Sequence, residues 1–302
     1  MTPLIQQNAV TQSGRFSFVR RLFAMVARAA QEWIAHRAAS KGAALSFYTL
    51  FSMAPILVLV LAIAGFFYGQ RAVQGELISQ LQGLLGPRGA EAIQMLLAGA
   101  RNHEEGRTAT IIASLWLWIG ASSVFAELKS SLDEIWQAPD TGRSGLWNVI
   151  LTRLISFGLI LVLAFLMLVS LVISAALAIL ERYWGGLPIE ALLLEFLSGL
   201  IGFTVIASMF AVIYKMLPRV HLSWRDVWVG ALGTAALFMI GKYAIGVYIG
   251  NSGVTSSFGA AGSLIAVLLW VYYSAQIFFF GAEFTRQYAL WFGSLKNHAG
   301  QE

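Results

Sequence analysis

The sequence predicts an all-α, polytopic membrane protein: six transmembrane helices, an N-terminal amphipathic helix and an outer-face helical hairpin. Three observations predict this. Six long apolar stretches run through the chain, Gly42–Gln70, Thr108–Ala126, Leu154–Leu180, Phe196–Tyr214, Val227–Ile249 and Leu264–Ala282, and only the fifth holds a charge, Lys242. A helix needs about 20 apolar residues to cross a hydrocarbon layer of roughly 30 Å. The composition agrees: 58% of the 302 residues are hydrophobic and 12% charged, where a soluble domain carries about 25% charged residues. The mean hydropathy is +0.72. The third observation is where the charges fall.

With the N-terminus inside, the cytoplasmic side collects Arg15, Arg20, Arg21, Arg28, Arg37 and Lys41, then Lys129, Arg143 and Arg153, then Lys215, Arg219 and Arg225, and finally Arg286 and Lys296. The outer side holds only Arg71, Arg88, Arg101, Arg107 and Arg182. The positive-inside rule then places both termini in the cytoplasm. The net charge of +5 is a matter of topology, with membrane lipids and their anionic headgroups as the matching partner rather than nucleic acid. The expected organisation is a cytoplasmic segment over 1–44, a six-span domain over 45–288 with the outer hairpin at 71–101, and a cytoplasmic tail over 289–302. The first apolar run is too long for the core of a cleavable signal.

Phe16–Lys41 reads as one helix. Phe18, Leu22, Met25, Val26, Ala29, Trp33 and Ile34 fall near a 3.6-residue period, with most of the arginines elsewhere. That is the pattern of a helix lying in the membrane interface; a basic leader running into the first span is the alternative. Span one contains Pro55, which frees a backbone carbonyl and kinks a spanning helix. The kink is either architectural or the place where a gate bends. After span one, Val73, Leu77, Ile78, Leu81, Leu84 and Leu85 form one helical stripe. Gly86-Pro87 interrupts it, and Ala90, Ile93, Leu96, Leu97 and Ala100 form a second. Trp136, Trp147, Trp224, Trp228 and Trp291 fall near inner span ends and Trp184 near an outer one, as interfacial belts do.

Lys242 is the outlier within the spans. A charge there costs about 2.5 to 3.5 kcal/mol on insertion scales, so either a partner or a cavity compensates, or the long stem reaches the surface. Glu195, entering span four from the outer side, is the expected partner. Span six adds Tyr273, Ser274 and Gln276; polar groups at that depth face other helices or a cavity. Glu127 and Glu283 close spans two and six. A carboxylate at a helix C-terminus meets an unfavourable dipole, so each calls for a cation, and Arg37, Lys41 and Arg153 are the candidates. They form either an inner-face salt-bridge cluster or a cytoplasmic gate or proton site.

The uncharged linker Gly250–Ser263 is either a turn capping span six or backbone lining a cavity. Gly246 and Gly250 form a G-x-x-x-G pair of the kind that lets helices approach closely. No metal site or cofactor is indicated: there is no cysteine and the four histidines are scattered. There is also no Walker loop and no nucleophile elbow.

Four runs together carry a resemblance. They are Lys41–Pro55, Gly120–Phe125 leading to Ile135-Trp136, Leu217-Pro218 with Trp224–Val227 and Gly230-Ala231, and Phe258–Ser263 with Leu269–Gln276 and Gly281–Phe284. In this order they resemble the YihY / virulence factor BrkB family of bacterial inner-membrane proteins. The resemblance implies a six-span plasma-membrane protein and little about mechanism. Members have also carried a ribonuclease BN label. This sequence argues against nuclease chemistry, since it offers no soluble catalytic domain and no two-metal ligand set. The expected activity is therefore non-enzymatic: carrying or flipping a lipid, an amphiphile or a small envelope solute, or else acting as a membrane scaffold or envelope-assembly factor. Cargo and oligomeric state are not written in the sequence.

Overall fold

A computed structural model of the chain describes residues 4–52, 123–124, 126–139, 188–220, 222–251 and 262–296, with scattered positions over 69–95 and 158–173. Side chains are described from Arg20 in the first helix and from Phe196 in the helix beginning at Pro188. The described residues contain helices and no strand. In chain order these are α1 (Leu4–Ala35), α2 (described over 38–52), α3 (described over 126–135), α4 (Pro188–Met216), α5 (Trp224–Asn251) and α6 (Gly262–Trp291).

Three stretches are long and apolar enough to cross a membrane: Phe196–Met216, Trp224–Tyr248 and Leu264–Trp291. These coincide with the fourth to sixth expected spans. The second and third expected spans and most of the first, with Pro55 and Arg153, lie outside the described residues. Around 74–95 the described positions are helical, and Ala90 and Ile93 of the second hairpin stripe are buried. Gly86-Pro87 lies outside the described residues.

α6 is the centre of the described bundle, with α5 and α1 packed on it and α4 packed on α5. Two contacts set the α4–α5 register. Tyr214 bonds to Thr234, and Phe210 meets Phe238 edge-on at 5.8 Å. Along the α5–α6 seam, Gly230 faces Thr285, Gly281 faces Thr234, and Gly241 faces Tyr273. The end of α4 at Met216 is therefore level with Leu232 on α5 and Glu283 on α6.

The seam is built by exchange. Thr234 donates to the Gly230 carbonyl of its own helix and rests on Gly281, while Thr285 donates to the Gly281 carbonyl and rests on Gly230. Each hydroxyl is satisfied on its own helix, as a dry interior requires, and each threonine side chain, hydroxyl foremost, fills the gap left by a glycine opposite. A Cβ at Gly230 would stand 1.7 Å from Thr285 Oγ1, and one at Gly281 would stand 2.0 Å from Thr234 Oγ1. Such small-residue spacing lets helix backbones approach in a membrane. Gly246, of the pair singled out from the sequence, meets no atom among the described residues.

Away from the seam the helices present apolar side chains outward. Phe196 and Leu200 on α4 and Ile240, Tyr243 and Val247 on α5 are exposed. Large apolar side chains exposed along spanning helices fit lipid and not water. Trp224 is also exposed, as an interfacial residue would be, but Trp136 is not: it is buried in the core with Leu132, Ile135, Tyr214 and Phe279.

The amphipathic helix is present with altered bounds. α1 ends at Ala35 instead of running to Lys41, because Arg37 takes the left-handed conformation with φ 52°. Its preceding turn closes through His36 N–H to the Glu32 carbonyl, and the next helix starts with Lys41 N–H on the Arg37 carbonyl. The apolar stripe is divided: Met25 and Ala29 are buried against protein, while Leu22, Phe23, Val26 and Ile34 are exposed.

Candidate functional site at the helix elbow

The sharp turn at His36-Arg37 lays the start of α2 against α6, and ionisable groups collect there. Glu283 is fully buried. Its Oε1 shares a hydrogen bond of 2.6 Å with His36 Nδ1. One helical turn later Lys41 ties the elbow down, donating to the His36 carbonyl and, at 2.7 Å, to Glu134 on α3. Gln276 lies seven residues before Glu283 on α6, so the two share a helix face about 10 Å apart. Its Nε2 donates to the Ala38 carbonyl at 3.3 Å, and its side chain lies over Gly42, where a Cβ would stand 2.0 Å from Nε2. Only glycine at position 42 admits this contact.

A second ionic group flanks the first. Lys129 donates to Asp133 at 3.2 Å and to the Leu217 carbonyl at 3.3 Å, while Asp133 also accepts from Arg219 N–H at 2.9 Å. This joins α3 to the α4–α5 connection. α3 ends just beyond, with Gln137 left-handed at φ 49° and Pro139 two residues on, a helix-terminating arrangement. An open cleft of about 550 Å³ adjoins the group, lined by Lys129, Ser130, Asp133, Glu134, Gln137 and Arg219 among others. Just beyond the C-terminus of α6, Asp226 accepts from Ser294 N–H at 2.9 Å and Ser294 Oγ at 2.6 Å.

The residues singled out from the sequence separate into distinct places. Glu283 has its cation-capable partner, but that partner is His36 and neither Arg37 nor Lys41. Arg37 is exposed at the elbow itself, and Lys41 serves Glu134. Glu127 is half-buried on α3 and makes no ion pair among the described residues. Tyr273 packs its ring edge on Gly241, 2.5 Å from the position of a Cβ. Ser274 donates to the Trp270 carbonyl of its own helix at 2.8 Å.

Lys242 is half-buried, level with Tyr273, and forms no ion pair among the described residues. Glu195 lies on the α4 backbone, with its side chain outside the described residues. The α4–α5 register places Lys242 opposite Ile206. Glu195 stands eleven residues from that point, about 16 Å along the helix. This register sets the two backbone positions apart along the bundle, and the expected pairing of Glu195 with Lys242 is not seen among the described residues.

His36 was passed over in the sequence because no second histidine stands at a recognisable spacing. The local hints were Glu32 four residues before it and its place at the end of the amphipathic stretch, beside the first span.

The family model described as virulence factor BrkB matches residues 29–300. The chain belongs to the virulence factor BrkB family. This BrkB-family protein is 28% identical over 255 residues to a UPF0761 membrane protein of Verminephrobacter eiseniae (strain EF01-2), a match covering 80% of this chain and 56% of the relative. It is 25% identical over 243 residues to one of Ralstonia nicotianae (strain ATCC BAA-1114 / GMI1000), covering 79% and 52%. With one from Neisseria meningitidis serogroup B (strain ATCC BAA-335 / MC58) the identity is 24% over 259 residues, covering 85% and 61%. The chain thus spans between half and two thirds of the length of these relatives. No solved structure matches it. Family, relatives and apolar helices agree that the BrkB-family chain is a membrane protein.

Proposed function

We propose that this protein is a carrier or flippase-like protein of the bacterial inner membrane, with both termini cytoplasmic, moving a lipid, an amphiphile or a small envelope solute. One observation carries the reading: Glu283, on the central helix of an apolar bundle, is fully buried and held by His36 from a broken helix. Ionisable groups in such surroundings are costly and mark ion or substrate pathways. A turn between two short-linked helices, latched by His36–Glu283 and Lys41–Glu134, is also an element with a definite closed arrangement. The polar layer of Tyr273, Ser274 and Gln276 lies along α6 on the side of the latch away from the helix end.

A second reading, a non-transporting membrane scaffold or envelope-assembly factor, has its own support. The α5–α6 seam is packed tightly enough that glycines are required at three facing positions.

The chain has no cysteine, which makes the discriminating experiment clean. Single-cysteine variants Tyr273→Cys, Ser274→Cys and Gln276→Cys, in oriented vesicles, are exposed to an impermeant maleimide from either side. A carrier gives labelling of at least one position in the folded protein, with a rate that changes with the side of addition. A scaffold gives labelling only after denaturation. Lys242→Met serves as a companion in a fluorescent-phospholipid exchange assay; unchanged exchange and unchanged stability would remove Lys242 from the pathway.

A further inference from the structure

The elbow holds more hydrogen-bonding capacity than its protein partners use. Glu283 gives Oε1 to His36, and its Oε2 is buried with no partner among the described residues. Gln276 Oε1 is also buried without one. Trp33 Nε1, on the turn of α1 before His36, is a buried donor in the same position. An unmet acceptor on a fully buried carboxylate costs several kcal/mol as a charge and far less when neutral. The His36 side chain differs from Glu283 in one respect: it is 17% exposed. One imidazole therefore touches both the surface and a carboxylate that has no surface of its own.

We infer that Glu283 is a proton-binding site, loaded and emptied through His36. The steps balance with the atoms present. A proton from water binds His36 Nε2, and the proton on Nδ1 passes across the 2.6 Å contact to Glu283 Oε1. The imidazole ends neutral with its hydrogen on Nε2, and the carboxylic acid now donates to Nδ1. The hydrogen bond survives with its direction reversed, and no buried charge remains. Unloading is the same sequence backwards.

Charged groups surround the pair on each packed element. Glu32 belongs to α1 and Arg37 to the elbow. Lys41 extends from α2 to the His36 carbonyl and to Glu134 of α3. Arg286 lies on α6. On α4 and α5 the nearest charged ends are engaged elsewhere: Lys215 donates to the Leu222 carbonyl, and Asp226 accepts from Ser294. His36 is thus the group in direct contact with the buried acid. The site deepens the carrier reading by naming the proton as coupling ion, and it rests on that reading for its use but not for the binding itself.

The test is infrared titration of the full chain in lipid nanodiscs, reading the carbonyl stretch of protonated carboxylic acids against pH. Wild type shows a titrating band that is lost in Glu283→Gln. In His36→Gln, which retains the acid, the band persists and its midpoint moves by about one pH unit or more. A band that survives in Glu283→Gln, or a midpoint unmoved in His36→Gln, overturns the proposal. Should Glu283→Gln fail to fold, the His36→Gln midpoint decides alone. The cysteine-labelling result is independent. Titration without side-dependent labelling keeps the proton site and removes the carrier; labelling without titration does the reverse.

Discussion

The α5–α6 seam and the α1–α2 elbow both pack on α6, and they do so by opposite means. In the seam, threonine hydroxyls are satisfied within their own helices, and the surfaces that meet are those threonine side chains and glycine backbone. At the elbow, the meeting groups are an imidazole, a carboxylate and an amide, and two of their polar atoms lack partners among the described residues. The first arrangement tolerates no added volume and has one state. The second tolerates a change of protonation and offers more than one. Within a single helix, the run from Gly281 to Thr285 contains both: Gly281 and Thr285 face the dry seam, and Glu283 between them faces the elbow.

The comparison is broken most severely by removing one half of the buried pair. His36→Leu leaves Glu283 without its donor and should cost about 3–5 kcal/mol, whereas the double variant His36→Leu/Glu283→Leu should recover most of that loss. Denaturant unfolding in detergent, run as a double-mutant cycle, measures the coupling; a double variant as unstable as the single one contradicts the pairing. Next in size is overpacking of the seam. Gly281→Ala puts a methyl against Thr234 and the Tyr214 hydroxyl and should cost about 1–3 kcal/mol. Gly246→Ala, facing open space among the described residues, should stay within about 0.5 kcal/mol. Equal shifts in melting temperature for the two glycines would mean that the seam does not depend on close approach.

A smaller effect joins the two regions. Tyr214 is buried and donates to the Phe278 carbonyl at 2.7 Å. Tyr214→Phe should cost about 1 kcal/mol, since Thr234 keeps its bond to Gly230; a thermal shift indistinguishable from zero would show that this link is idle. Smallest is Glu134→Gln. Its carboxylate is 56% exposed, and exposed pairs contribute about 0–1 kcal/mol. High salt should erase even that difference in unfolding midpoint, and a larger, salt-resistant loss would make Lys41–Glu134 part of the latch itself.

Some of this was legible in the residues and some was not. Glu283 stood out because a carboxylate just beyond an apolar run needs an explanation, and among the described residues His36 is the side chain it bonds to. Its partner did not stand out. Arg37 and Lys41 are the stronger cations, but the left-handed turn at Arg37 points the local chain so that His36 reaches α6. Similarly, the G-x-x-x-G pair is the better-known signal, while the working seam uses Gly230 with Thr234 and Gly281 with Thr285. A glycine and a threonine four apart are common, and only facing copies give the pattern meaning.

The sequence by itself determined that the last three described long helices are apolar and long enough to span a membrane, because a backbone in hydrocarbon must bond to itself over about 20 residues. It also determined which few side chains would be expensive there. Tertiary structure decided the rest: where α1 stops, how far α5 slides past α4 so that Lys242 and Glu195 part, and which side chain meets Glu283. Those outcomes depend on register and on the direction of one turn, and neither is carried by hydropathy, which records what a residue avoids and not what it touches.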